Sequence, residues 1–231
     1  MDLNQPLLDY CERLGPGLLA EPLNALSNGA FLLAALHLWR RRGAEPGPVA
    51  AARIWLAALL ALVGLGSLAF HTLATRGTSI LDVACIGIFN LAYLILFVRL
   101  VARRPWPWAL GAALAFIVVD RLAGSVLPSS AVNGSLLYAP ALLVLSALTG
   151  YALRRAPPAG RLMLGAAAAF WLSLVLRSLD RALCPVWPWG THFAWHLLNA
   201  WVLYRLSTAL LQGARPAAEP GARPAQAAAA R

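Results

Sequence analysis

Apolar residues run along this chain in long blocks, separated by short clusters rich in proline, glycine and arginine. Seven blocks stand out: Leu23–Trp39, Ile54–Leu73, Ile80–Val101, Trp106–Leu122, Leu136–Leu153, Leu162–Leu179 and His192–Leu211. Each is close to the ~17–25 residues an α-helix needs to cross a bilayer. The pattern predicts an all-α, polytopic membrane protein: a seven-transmembrane helix bundle over residues 23–212 with an N-terminal segment, 1–22, before it. Residues 213–231 carry Ala, Gly, Pro and Arg without apolar periodicity and are expected to form a disordered cytoplasmic tail. The first residues lack the basic flank of a signal peptide, so no cleavage is expected there.

Composition supports this class. The chain is 60% hydrophobic and 12% charged, against about 25% charged residues in soluble domains. All of its basic residues are arginine. The connections after the first, third and fifth blocks hold Arg40, Arg41, Arg42, Arg53, Arg99, Arg103, Arg104, Arg154, Arg155 and Arg161. The other connections, counting block ends, hold only Arg76, Arg121, Arg177 and Arg181. The positive-inside rule then puts the N-terminus outside and the C-terminus in the cytoplasm. The net charge of +10 is mostly this bias, suited to anionic headgroups. No soluble basic domain exists to bind nucleic acid, and no protein partner is implied. Arginine without lysine, with abundant alanine, is the usage of a GC-rich bacterial genome, which would make the location a bacterial inner membrane.

This topology sorts the acids. Asp2, Asp9, Glu12, Glu21, Asp82, Asp120 and Asp180 fall on the outer side or in outer span ends, while only Glu45 and Glu219 fall inside. Three of four histidines share that outer leaflet: His71 at the end of the second block, and His192 and His196 in the first turns of the seventh. His37 lies near the opposite face and is expected to be interfacial. His192 and His196 stand at i, i+4, on one helix face. With His71 they would form a three-histidine set, the donor pattern of catalytic zinc with one position left to water. Cys85, one turn beyond Asp82, is the rival fourth ligand that would make such a site structural, against the simpler role of a small packing residue.

Asp82 is a carboxylate at membrane depth, costly unless paired or near a cation. It stands close to His71 across a short connection, placed to act as a general base. Ser67 precedes His71 by four residues and shares its helix face. It would orient Asp82 or donate to an oxyanion, or else bond back to its own helix. At the N-terminus, Asp9, Tyr10, Cys11 and Glu12 precede Glu21, Asn24 and Asn28. The last three fall within about 60° of arc at 100° per residue. These oxygens suit calcium, or equally a helix N-cap with solvated acids. Cys11 and Cys184 lie outside, where disulfides persist, though sequence leaves their distance open. Arg177 and Asp180, at i, i+3, read as a helix-end ion pair.

The segments D-Y-C-E (9–12), E-P-L-N-A-L-S-N (21–28), S-L-A-F-H (67–71) with Asp82 eleven residues on, and G-T-H-F-A-W-H (190–196) resemble the alkaline ceramidase family. That family belongs to the CREST superfamily of seven-helix membrane hydrolases, and the resemblance covers nearly all of the chain before the tail. It implies a zinc amidase that splits ceramide-like lipids into a sphingoid base and a fatty acid. Carried over by position, His71, His192 and His196 would hold zinc, with Ser67 and Asp82 in catalysis. Asp9, Tyr10, Glu12 and Glu21 would hold calcium, and Cys11 would pair with Cys184. Some positions depart from the family pattern. Tyr10 stands for a usual Trp, Leu14 for an Asn, Val83 for an acid after the catalytic Asp, and the gap to Glu21 is shorter. Two other readings stay open: a hydrolase of another bacterial N-acyl lipid, and a seven-helix receptor or sensor with structural zinc.

Overall fold

Every long apolar block folds as helix. A computed structural model describes residues 2–41, 47–128 and 131–215. The order is α1 (Pro22–Ser27), α2 (Gly29–Arg40), α3 (Gly47–Leu73), α4 (Arg76–Leu96), α5 (Trp106–Val126), α6 (Ala139–Arg155), α7 (Pro157–Leu183) and α8 (His192–Ala214). A wide π-type turn, Phe97–Val101, prolongs α4, and a 3₁₀ segment, Ala131–Tyr138, leads into α6. Among the described residues there is no strand beyond a single bridge, Pro6 to Thr75. Glu45, Glu219 and most of the expected tail lie outside the described residues; helix α8 runs two residues into the span assigned to the tail.

Five helices are long and apolar enough to cross a membrane, as in an integral membrane protein: Gly47–Leu73, Arg76–Val101, Trp106–Val126, Ala131–Arg155 and Pro157–Leu183. Much of their apolar surface, including Leu110, Leu114, Val118 and Leu122 of α5, faces outward. A hydrocarbon solvent accommodates that exposure and water does not. The first and last expected spans depart from the pattern. The first breaks at Asn28 into α1 and α2, and a twelve-residue α2 reaches only about 18 Å at 1.5 Å per residue. Helix α8 has the length, with 23 residues, but His192, His196, Asn199 and Arg205 dilute its apolar character. These are also the helices that carry the polar centre.

Tight connections set the packing. Thr75 starts α4 with a reciprocal cap: its hydroxyl accepts from the Thr78 amide, and the Thr78 hydroxyl accepts from the Thr75 amide. The N-terminal segment lies across this turn, with Leu7 N donating to Ala74 O at 2.8 Å and Arg76 N to Gln5 O at 2.9 Å. Only Ala156 separates α6 from α7, and Pro157 and Pro158 start the new helix. Helix α8 packs on α7, α2, α1 and α3 and so forms the axis of the bundle.

The corner before α8 is equally constrained. Gly190 sits at φ +64°, and a Cβ there would fall 2.2 Å from Asp180 Oδ1 and 2.9 Å from Cys11 Cβ. Gly190→Ala is expected to cost about 2–4 kcal/mol, from left-handed strain and the displaced Asp180 carboxylate. Thermal unfolding in detergent reads this, with Gly111→Ala, a mid-helix glycine in open space expected to gain about 0.5–1 kcal/mol, as the control. Equal midpoints for the two variants would contradict the tight corner.

Candidate metal centre

His71 ends α3, Asp82 lies in the second turn of α4, and His192 and His196 lie in the first turns of α8. The connections just described bring these helix ends to one end of the bundle. The three imidazoles are buried, with His71 fully so. Their candidate ligand nitrogens all lie within 4.8 Å of one another. The rings are mutually tilted or edge-on, with centroids 4.6 Å apart for the two pairs that include His196 and 5.1 Å for His71 and His192.

Hydrogen bonds decide which nitrogen each ring presents. His71 Nδ1 lies 2.6 Å from Glu21 Oε2. A carboxylate accepts there, so Nδ1 carries the proton and Nε2 keeps its lone pair. His71 Nε2 is buried and has no partner. His196 Nδ1 lies 2.7 Å from Ser27 Oγ, and the Ser27 hydroxyl spends its one proton on Asn24 O at 2.9 Å. Ser27 must therefore accept from His196, which again leaves Nε2 basic. His192 stacks on Tyr10 with centroids 3.7 Å apart, and its Nδ1 is buried without a partner. Orphaned nitrogens this deep are costly unless something fills the space between them. The donor set therefore fits a metal ion that prefers imidazole, as zinc does. Cys85 is free and buried, but it packs against Gly66, where a Cβ would meet its Sγ at 2.8 Å. Among the described residues, the clustered ligands are the three histidines.

Asp82 faces the centre from α4. Its Oδ1 is buried without a partner, and Ser67 stands beside the carboxylate. The close approach of α3 and α4 at Gly66 makes this contact. Ser67, Asp82 and His196 line one cavity, whose other walls include Phe89, Leu94, Leu145 and Leu206. The cavity is thus polar at Ser67, Asp82 and His196 and mostly apolar beyond them, with Asn90 and Asn199 among the exceptions.

Of the four residues read as calcium ligands, Tyr10, Glu12 and Glu21 have other partners. Asp9 is exposed. Tyr10 has its ring on His192 and its hydroxyl accepting from Arg177 at 2.9 Å, and burial pushes its phenol far above the ordinary range. Both Glu12 oxygens accept from the amides of Leu23 and Asn24, at 2.6 and 2.9 Å, capping α1. Burial raises the Glu12 carboxyl, and those amides offset only part of the rise. Glu21 holds Arg13, His71 and Asn24. Its own burial would push its carboxyl up, but the hydrogen bonds from His71 and the other donors outweigh that and lower it.

Cys11 and Cys184 form a disulfide that joins the N-terminal segment to the end of α7. The expected Arg177–Asp180 ion pair does not form among the described residues. Asp180 instead accepts from the amides of Thr191 and His192, at 2.6 and 2.9 Å, and from Cys11 N at 3.1 Å. It caps α8 and anchors the N-terminal segment, which gains more from a carboxylate than an arginine neighbour would. Arg177 sits over the rings of Tyr10, Tyr138 and Trp195. His37, at the far end of α2, accepts from Arg41 and takes no part.

Sequence reasoning passed over Ser27, Arg13 and the capping role of Asp180. Ser27 stood three residues after Asn24, within reach of the same face. Arg13 was an arginine on the side that the arginine bias called outer. Ser27→Ala would free His196 Nδ1 and is expected to weaken metal binding about 10-fold, read by chelator competition. An unchanged affinity would remove Ser27 from the centre.

Direct comparison with curated proteins returns no match. The family model described as Ceramidase matches residues 6–216, a stretch that includes every residue of this centre, and the chain accordingly belongs to the Ceramidase family.

Proposed function

We propose that the chain is a zinc-dependent intramembrane amidase that hydrolyses the N-acyl bond of ceramide-like lipids to a sphingoid base and a fatty acid. The observation that carries this reading is the cluster of three buried histidines, with His71 Nε2 and His192 Nδ1 unpartnered, beside Asp82 at the polar head of a largely apolar cavity. The bundle would cross the membrane seven times, with α1 and α2 as the interrupted first span and α8 as the seventh. Arginine bias supports an outer N-terminus and a centre toward the outer face, at the plasma membrane of a bacterium.

His71, His192 and His196 would hold the zinc. Zinc, when bound, supplies Lewis acidity to the amide carbonyl and acidifies the attacking water. Asp82, oriented by the Ser67 hydroxyl, takes the proton from that water as its oxygen bonds to the carbonyl carbon. The carbonyl π pair moves onto oxygen. When it returns, the C–N bond breaks, and Asp82 delivers its proton to the departing nitrogen so that a neutral amine leaves. The acyl chain would lie in the apolar part of the cavity, so that hydrolysis takes place without the lipid leaving the membrane. Cys85, packed away against Gly66, argues against the structural-zinc receptor.

Purified protein assayed for fatty acid release from a fluorescent ceramide, with metal content measured in parallel, tests the reading. Activity and stoichiometric zinc should disappear together in His196→Ala, and wild-type protein without bound metal would overturn the proposal. Asp82→Asn should keep its zinc but turn over at least ~10²-fold more slowly. Near-normal turnover in that variant would take Asp82 out of the proton-transfer role. A panel of other N-acyl lipids defines the substrate within the same class.

A further inference from the structure

Arg13 is a buried arginine at the N-terminal edge of the bundle, 5% exposed. Its guanidinium is surrounded by oxygen. Nε donates to Glu21 Oε1 at 2.5 Å, Nη1 to the carbonyls of Gly15 and Gly17 at 3.4 and 3.2 Å, and Nη2 to the carbonyls of His71 and Thr72 at 3.0 and 3.4 Å. One carboxylate and four carbonyls converging on a single positive group is the ligand chemistry of a hard divalent cation. Here a side chain of the same polypeptide supplies the charge. The planar fork also does what a point charge does not, because it spans acceptors from three separate segments at fixed angles.

We infer that Arg13 is a built-in cation that replaces calcium in the N-terminal segment and acts as a positioning residue for the metal centre. The inference rests on the reading that the three histidines hold zinc. Arg13 fixes one oxygen of Glu21, and the other oxygen, Oε2, holds His71 Nδ1. Two more of its bonds end on the backbone of His71 and its neighbour Thr72. The guanidinium therefore secures both the position of the His71 backbone and the direction of its ring. Glu12 and Glu21 have no oxygen left over: Glu12 caps α1 with both, and Glu21 is shared by Arg13, His71 and Asn24. Inorganic calcium would have to displace Arg13 to reach Glu21 Oε1 and the carbonyls around it. Orienting partners of this kind typically govern about 10–100-fold in metal affinity.

The test uses the full-length protein in detergent or nanodiscs. Thermal midpoint and zinc affinity are measured without substrate, in buffer freed of calcium by a chelating resin before zinc is added back, and across a CaCl₂ titration to millimolar concentrations. The wild type should show the same midpoint and zinc affinity at every calcium concentration. Arg13→Lys keeps the charge but loses the fork, and should bind zinc about 10-fold or more weakly. Arg13→Ala should lose more, with part of its midpoint and zinc affinity restored by millimolar calcium or guanidinium chloride. If Arg13→Ala does not fold, Arg13→Lys carries the measurement alone. A wild-type midpoint that rises with calcium, or an Arg13→Lys zinc affinity equal to the wild type, overturns the inference. These readouts separate the two claims. A protein that binds zinc but does not cleave ceramide fails the functional proposal and leaves the Arg13 role standing.

Discussion

A buried imidazole presents a lone pair in a fixed direction only when its other nitrogen is held, and the rest of this structure is organised around that constraint. Glu21 holds His71 and Ser27 holds His196. The holders are themselves held: Glu21 by Arg13, and Ser27 by Asn24 in a helix that Glu12 caps. His192 is fixed differently, by Asp180 on its backbone amide and by the face of Tyr10. Carboxylates remote in sequence thus terminate both helices that carry the centre's α1 and α8 groups, where the N-terminal dipole favours negative charge.

This explains why the buried acids and histidines gather at one end of the bundle. Unsatisfied polar groups in a hydrocarbon surrounding cost several kcal/mol each, so they are tolerated only where a network serves them. The N-terminal segment is part of that network. Its backbone crosses the α3–α4 turn, Cys11 ties it to Cys184, and Tyr10, Glu12 and Arg13 each touch the centre or its supports. At the far side of the histidines the cavity walls become aliphatic and aromatic, which suits a ligand with one polar linkage and long apolar chains.

The helices were legible because hydropathy and arginine placement respond to the bilayer, a solvent that acts on every residue alike. The grouping of His71, His192 and His196 was legible because they are expensive residues delivered to the same depth. What escaped were the partners chosen by tertiary contact. Glu12 and Glu21 read equally well as calcium ligands or as caps, since an acid in a short turn has the same pattern in both. Arg177 and Asp180 had the spacing of an ion pair, yet Asp180 met two backbone amides across the α7–α8 corner, a contact no helix period encodes. Asn28 broke the first expected span because its side chain bonds back to Asn24 O, and a window average cannot see that.

X-ray absorption at the zinc edge of the purified protein is the most direct test of the account. Three imidazole nitrogens at about 2.0–2.1 Å and one exchangeable light-atom ligand are the predicted result. An absent metal, or a sulfur ligand at about 2.3 Å drawn from Cys85, would contradict it.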